Sequence, residues 1–342
     1  MDAVVRGRRV MPLSTILAQE FRDPEYRSDL ASLVGERSND AIEHWVDELT
    51  FAHLGVHPSG ALYALKSVGA VFCLVLERGE LAVLKLFNRA YTLRELTSMH
   101  ECMLAASAHG FPVPRLRSEL FEPTPGVWAT FYAFLDGDQR DAHEPAVRRE
   151  LARSLAELSA VLAPLDASAL PMTPTRLDTL WPQPHRIWEH RALDGDEARL
   201  CDRHASEAQA VIKKSKLPRT AMHLDWGVKN ARFHDNRLSA VYDWDSLHQA
   251  SEAECAGRAA AQFTAQWEIP ALLTPTPDES KAFLDEYQAA RGKKFSRAER
   301  AVAAASARYL VAHVARQELA SGVPLGDNYR GLLQAYDDDP LL

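Results

Sequence analysis

Glycine-rich phosphate loops are missing from this chain. Its 16 glycines are scattered through 342 residues, and neither G-x-x-x-x-G-K-[ST] nor G-x-G-x-x-G occurs. A nucleotide held here is therefore not cradled by either of those turns. Cysteine is also scarce. Cys73, Cys102, Cys201 and Cys255 lie far apart with no C-x-x-C pair, which suggests neither a zinc site nor a disulfide framework and leaves reduced, buried thiols as the expectation. No apolar run approaches the length of a membrane span, and the arginine-bearing start, Met1 to Val10, lacks the apolar centre of a signal peptide. A cytoplasmic protein with no membrane partner is expected. Basic charge is in deficit, with 39 Lys and Arg against 47 Asp and Glu, a net charge of −8 and a pI near 5.9. That balance argues against a nucleic-acid partner, which calls for a clustered basic face.

At 46% hydrophobic and 25% charged, the chain can bury a full core as one large domain or two lobes. The first fifty residues read as helical and only moderately ordered, with Ser38-Asn-Asp40 as a cap for a helix that sets Ile42, Trp45 and Val46 on one face. From Ala61 the period changes. Ala61 to Lys66, Val71 to Leu76 and Leu81 to Phe87, parted by Ser67-Val-Gly69 and Arg78-Gly79, predict an antiparallel meander. A helix follows from Thr92 to Ala108, stopped by Gly110, Pro112 and Pro114. Leu116 to Leu120 and Val127 to Leu135 complete a βββαββ order. Beyond Gly137 helices dominate: Pro145 to Leu165 with a stripe of Leu151, Leu155, Leu158 and Leu162, then Ala198 to Lys214, Glu252 to Trp267, Glu279 to Arg291 and Arg297 to Ala320. The segment Ala167 to Pro184 reads as a loop. The division expected is 1–134, a helical segment plus a β-rich nucleotide-binding lobe, and 135–342, a helical lobe with the chemistry and the acceptor site.

The chemistry concentrates in His223-Leu-Asp225-Trp-Gly-Val-Lys-Asn230, followed by Leu238-Ser-Ala-Val-Tyr-Asp243-Trp-Asp245. Each residue alone can be a turn former, a cap or a strand end. Together they suit phosphoryl transfer. Asp225 can orient and deprotonate a hydroxyl, and Asn230 and Asp243 offer the hard oxygens that Mg²⁺ takes beside phosphates. His223 is expected to brace the loop, since such a metal site calls for oxygen donors.

Lys85 is the one charge in the apolar strand Leu81-Ala-Val-Leu-Lys-Leu-Phe. A solvated strand end is its plain reading. A strand lysine paired with a helix glutamate is the other, because that pair fixes a cation against nucleotide phosphates. Glu101 is favoured over Glu95 for lying deeper in the helix, although helical phase does not decide between them. Ser67 and Gly69, in the first hairpin turn, sit where backbone amides could meet phosphate oxygens.

These motifs resemble those of the aminoglycoside phosphotransferase family, the small-molecule branch of the protein-kinase-like fold that includes choline and homoserine kinases. H-x-D-x-x-x-x-N appears as His223 to Asn230, and the hydrophobic-D-x-D strand as Val241 to Asp245. Gly110-Phe-Pro-Val-Pro114 and Leu135-Asp-Gly137 add to the likeness, which runs from about Ala61 to the C-terminus. It implies an α+β, two-lobe fold with an antiparallel β-rich N-lobe and a mainly α-helical C-lobe. It further implies Lys85 and Glu101 as the phosphate-orienting pair, Asp225 as base, Asn230 and Asp243 as Mg²⁺ ligands, and adenine held by hinge backbone near Ala133 and Leu135. ATP or GTP would be the donor and a small-molecule hydroxyl the acceptor, in a monomer or homodimer.

Two departures stand out. Leu224-Asp225-Trp226-Gly227 replaces the usual Gly-Asp-Leu/Phe-His, and the first hairpin lacks the usual glycines. The absence of Asp-Phe-Gly and Ala-Pro-Glu argues against a regulated protein kinase. For the acceptor, an antibiotic of aminoglycoside or related type leads, with choline, homoserine or a sugar as alternatives and a pseudokinase binding module as the reading of another class. Trp181, Trp188 and Trp267 are candidates for lining an acceptor pocket, but tryptophan is usually buried, so packing is the expected role of each.

Overall fold

The computed structural model describes residues 4–5, 8–66, 69–182 and 193–342. The chain forms two compact units, Met1–Thr97 with Pro114–Leu135, and Ser98–Val113 with Asp136–Leu342. Residues 98–113, expected in the first domain, cluster with the second.

The first unit is a five-stranded antiparallel sheet of β1 (Pro58–Lys66), β2 (Ala70–Leu76), β3 (Leu81–Leu86), β4 (Phe121–Thr124) and β5 (Val127–Ala133), in the order β1-β2-β3-β5-β4. Three helices, α1 (Leu13–Glu20), α2 (Pro24–Val34) and α3 (Asn39–Leu54), belong to the same unit. The alternation of β3 decides its two faces. Ala82, Leu84 and Leu86 are fully buried in one core with Leu17, Val34, Ile42, Val46, Phe72, Leu74 and Phe131, while Leu81, Val83 and Lys85 take the other face. Helices α1 to α3 supply a large share of this core, so residues 13–50 are packed rather than only moderately ordered. Ser38 caps α3 by accepting from the Ala41 N–H, as the spacing predicts, and Gly55 ends it in the left-handed region at φ 70°.

The fourth strand falls later than expected. Phe121–Thr124 pairs with β5 at the sheet edge, where Pro123 is tolerated because an edge strand can spare a donor. Around Leu116 only a single bridge to Tyr132 forms. The ladder breaks at Ser118, whose Oγ accepts the Phe131 N–H at 2.9 Å in place of a backbone carbonyl.

Helix α4 (Leu93–Ala108) buries Leu96, Met99, Met103 and Ala106. The second unit adds α5 (Pro145–Leu162), α6 (Asp196–Lys214), α7 (Glu252–Ala260), α8 (Pro277–Arg291), α9 (Arg297–Ser321) and α10 (Tyr329–Ala335). The leucine stripe of α5 is buried throughout. Two short hairpin-like pairs carry the motifs: β6 (Thr220–His223) pairs with β9 (Leu247–Ala250), and β7 (Ala231–His234) with β8 (Arg237–Val241).

Helix α7 was expected to reach Trp267 but ends at Ala260. The Phe263 carbonyl accepts the Val228 N–H at 2.9 Å, so the chain turns there to serve a distant loop. All four cysteines are buried and none is in a disulfide, matching the expectation. Among the described residues no helix is long and apolar enough to cross a membrane.

Candidate active site

The His223–Asn230 loop leaves the end of β6 and is held from several directions. Leu224 donates its N–H to the Ser246 carbonyl at 3.0 Å, and its own carbonyl accepts from Arg258 Nε and Gln262 Nε2, both at 2.8 Å. Trp226 donates its indole N–H to the Leu151 carbonyl at 3.0 Å. Gly227 passes so close to the Gln262–Phe263 backbone that a Cβ there would lie 2.9 Å from the Gln262 oxygen. Nothing larger than glycine fits without a shift. His223 is 1% exposed. Its Nε2 lies 3.1 Å from the Tyr242 carbonyl, so that nitrogen donates, and its ring meets Trp226 and Trp244 edge-on at 5.7 and 6.0 Å. This is the bracing role expected of it.

Asp225 and Asn230 are brought together. The Asn230 side-chain nitrogen donates to both the carbonyl and Oδ2 of Asp225, each at 2.8 Å. With both its protons so engaged, the amide presents its Oδ1 as its remaining polar atom. The other Asp225 oxygen, Oδ1, lies 2.8 Å from Lys229 Nζ. Burial works to raise the Asp225 pKa, but the Lys229 ammonium, helped by Arg258, outweighs burial and the like charge of Asp243 and holds it below the ordinary carboxylate value. Asp225 is accordingly ionised at neutral pH, ready to accept a hydrogen bond from a hydroxyl.

Asp243 follows β8 in the left-handed conformation at φ 60°, uncommon outside glycine and tolerated best by Asp and Asn. Its Oδ2 accepts from Ser246 Oγ at 2.8 Å, and the backbone beside it is tied back by the Tyr242 N–H donating to the Asn230 carbonyl at 2.8 Å. The site thus supplies an anionic and a neutral oxygen, and among the described residues no group of three or more His, Cys, Asp or Glu could hold a metal. Such a pair fits a hard divalent cation whose remaining ligands come from phosphates and water.

In the first unit, Lys85 lies on the sheet face opposite the helices. That face carries Leu62, Cys73, Val75, Val83 and Phe134, an apolar bed with one ammonium on it. Glu101 lies on the exposed side of α4, where helical phase turns it away from the face of Met99 and Met103. Glu95 instead accepts from the N–H and hydroxyl of Thr92 at 2.7 and 2.8 Å, a capping box that starts α4.

Gly69 is buried, and a Cβ on it would strike the Leu86 carbonyl at 1.9 Å, so close strand packing is reason enough for glycine. Ser67 lies outside the described residues, as does Trp188. The Ala133 N–H is committed to the Arg115 carbonyl at 2.8 Å.

Reading the sequence missed Lys229 and Arg258. The four-residue spacing from Asp225 to Lys229 was the available signal for the first; nothing local pointed to the second. Trp181 packs as expected, against His313 and Tyr309 with its N–H on Asp202. Trp267 does not: it is 71% exposed.

Residues 70–253, more than half of the chain, match the profile of the Phosphotransferase enzyme family, APH. The chain belongs to this phosphotransferase family. No match is found among curated proteins. Solved structures share the fold at low identity. The amicoumacin kinase hAmiN, in complex with AMP-PNP, Ca²⁺ and Ami, has a TM-score of 0.61 at 11% identity over 88% of this chain and 97% of its own. A thermostable mutant of aminoglycoside phosphotransferase APH(4)-Ia gives 0.57 at 14% over 84% and 97%. Spectinomycin phosphotransferase APH(9)-Ia, with ADP and spectinomycin, gives 0.56 at 12% over 86% and 98%. The phosphotransferase is therefore built on the two-lobe, protein-kinase-like α+β fold.

Proposed function

We propose that this phosphotransferase transfers the γ-phosphoryl group of ATP or GTP to a hydroxyl of a small molecule, an antibiotic of the kind its structural neighbours bind being the leading acceptor class. The observation that carries this reading is the Asp225–Asn230 pair. One side chain is an ionised carboxylate able to accept the hydroxyl proton, and the other is locked by two hydrogen bonds with its oxygen presented. Asn230 and Asp243 would hold Mg²⁺, which when bound neutralises phosphate charge. Lys85, on its apolar sheet face, would hold the phosphates, with the backbone near Leu135 and Gly69 at the base and at the phosphate end.

Titration of Mg-ATP into wild type and Asp225→Asn, followed by turnover on a panel of hydroxyl compounds, tests the reading. Asp225→Asn should keep nucleotide affinity while kcat falls on the order of a hundredfold or more. Unchanged turnover would remove Asp225 as the base. A chain that binds no Mg-ATP would remove the kinase reading altogether, leaving a binding module.

A further inference from the structure

One short turn grips the Asp225 carboxylate through both of its oxygens. Asn230 Nδ2 donates to Oδ2 at 2.8 Å, and Lys229 Nζ lies 2.8 Å from Oδ1. An ammonium carries three N–H donors on a flexible stem, so one carboxylate oxygen does not exhaust it. The Trp267 ring, its centre 5.7 Å from Nζ, also borders this ammonium, and the Lys229 side chain is only 22% exposed. The charge is placed rather than loose in solvent. A hydroxyl that gives its proton to Asp225 has its oxygen about 2.6–3.2 Å from that carboxylate, and the phosphorus it attacks lies about 3–3.5 Å from that oxygen. The phosphoryl oxygens thereby come within a few ångströms of Lys229 Nζ, a distance its four-carbon stem can cover. Asn230, the next residue, is the proposed ligand of the cation that accompanies the phosphates, so on the same reading the turn already faces them.

On the reading of Asp225 as base, we propose that Lys229 is a further catalytic residue: its ammonium, resting on the Asp225 carboxylate before reaction, contacts the non-bridging oxygens of the phosphoryl group in transit. Before reaction Asp225 and Lys229 form a pair of zero net charge, so Lys229 adds little to nucleotide binding. The step changes that balance. The acceptor oxygen bonds to the γ-phosphorus as the bond from phosphorus to the β,γ-bridging oxygen breaks, the electron pair leaves with the nucleoside diphosphate, and the hydroxyl proton passes to Asp225. Protonation removes the carboxylate charge and leaves the ammonium to the phosphoryl oxygens, over which negative charge is spread. A contact made in the transition state and not before it raises kcat and leaves KM alone.

The test titrates Mg-ADP into the full chain with and without fluoroaluminate, a planar mimic of the phosphoryl group in transit, beside Mg-AMP-PNP as the ground-state probe. Turnover is read as Mg-ATP hydrolysis, with water as the acceptor. Lys229→Met should weaken the fluoroaluminate complex about tenfold or more while Mg-ADP and Mg-AMP-PNP bind as they do to wild type, and kcat should fall about a hundredfold with the KM for ATP unchanged. Lys229→Arg keeps the charge and should recover part of both losses. In an Asp225→Asn background Lys229→Met should still weaken the fluoroaluminate complex, because the contact is with the phosphoryl group itself. The proposal fails if Lys229→Met holds fluoroaluminate like wild type, weakens both ADP complexes equally, or has no effect once Asp225 is replaced; Lys229 then only holds the base. A wild type that binds Mg-ADP but takes up no fluoroaluminate overturns it as well. Unchanged hydrolysis in Asp225→Asn removes the base instead, and the Lys229→Met titrations still decide the phosphoryl contact. A wild type that binds neither Mg-ADP nor Mg-AMP-PNP removes the kinase reading and Lys229 with it.

Discussion

Each of three side chains in this protein can be asked a question that its neighbours answer. Asp243 sits in a left-handed conformation and accepts from Ser246, so its carboxylate is pre-aimed. Asp243→Ala should weaken Mg-nucleotide binding and abolish transfer, with no rescue by added acceptor; normal Mg-ATP titration of the variant would make Asp243 a strand terminator only. Lys85 lies among apolar side chains on its sheet face, so Lys85→Ala should lower kcat/KM for ATP steeply, and arginine should rescue poorly because a planar fork does not replace a compact ammonium. Glu101, on the exposed side of α4, should behave oppositely. Glu101→Gln should stay within about 0.5 kcal/mol of wild-type stability and near wild-type turnover, as surface substitutions do. A coupled loss in the Lys85 and Glu101 double-mutant cycle would show that nucleotide binding creates a pair that helical phase alone disfavours.

At the scale of elements, the His223–Asn230 loop is placed by helix α7 and the turn after it. Arg258 and Gln262 both donate to the Leu224 carbonyl, and Phe263 takes the Val228 N–H. The capping box of Ser251 and Glu254 starts that helix, while buried Glu254 also pairs with Arg176 at 3.2 Å. Gly227 runs against this turn at a distance that admits no side chain. Gly227→Ala should therefore cost about 1–3 kcal/mol in urea unfolding, the range for inserting a methyl into a packed site. It should lower kcat more than nucleotide affinity, because the displaced segment carries Asp225. An alanine variant as stable and active as wild type would mean the loop yields where the packing says it cannot.

Over the whole molecule, stability varies with pH through pairs of this kind rather than through the net charge of −8. His143 places both ring nitrogens on acceptors, Glu279 Oε1 at 2.8 Å and the Leu272 carbonyl at 3.1 Å. Burial works to lower its pKa, but Glu279, that carbonyl and Asp141 outweigh burial and raise it above the ordinary 6.5. A raised folded value means the stabilisation is complete below about 6.5 and is lost as pH rises through the folded pKa. Glu279 is held below its ordinary value, mainly against burial by Thr276 and His143, so its share is lost only on acidification. Thermal melts of wild type and His143→Ala should differ most below about pH 6.5, and the gap should shrink as the pH rises through the folded pKa. A gap that stays constant across that range would mean the imidazole packs there without its charge.

The sequence by itself determined the Asp225, Asn230 and Asp243 set and the meander that carries Lys85. Residues five apart in a tight loop cannot be far apart in space, and alternation along β3 already sorts Ala82, Leu84 and Leu86 from Val83 and Lys85. Local chemistry also sufficed for Ser38 at the start of α3. Only the tertiary structure decided the outward phase of Glu101, the early end of α7 and the exposure of Trp267. The first depends on which face of α4 the core covers. The other two depend on a carbonyl, at Phe263, claimed by an N–H thirty-five positions earlier in the chain. Hydrogen bonds between remote segments leave no period in the sequence, and they are what hold the turn before Trp267 against the loop that carries Asp225.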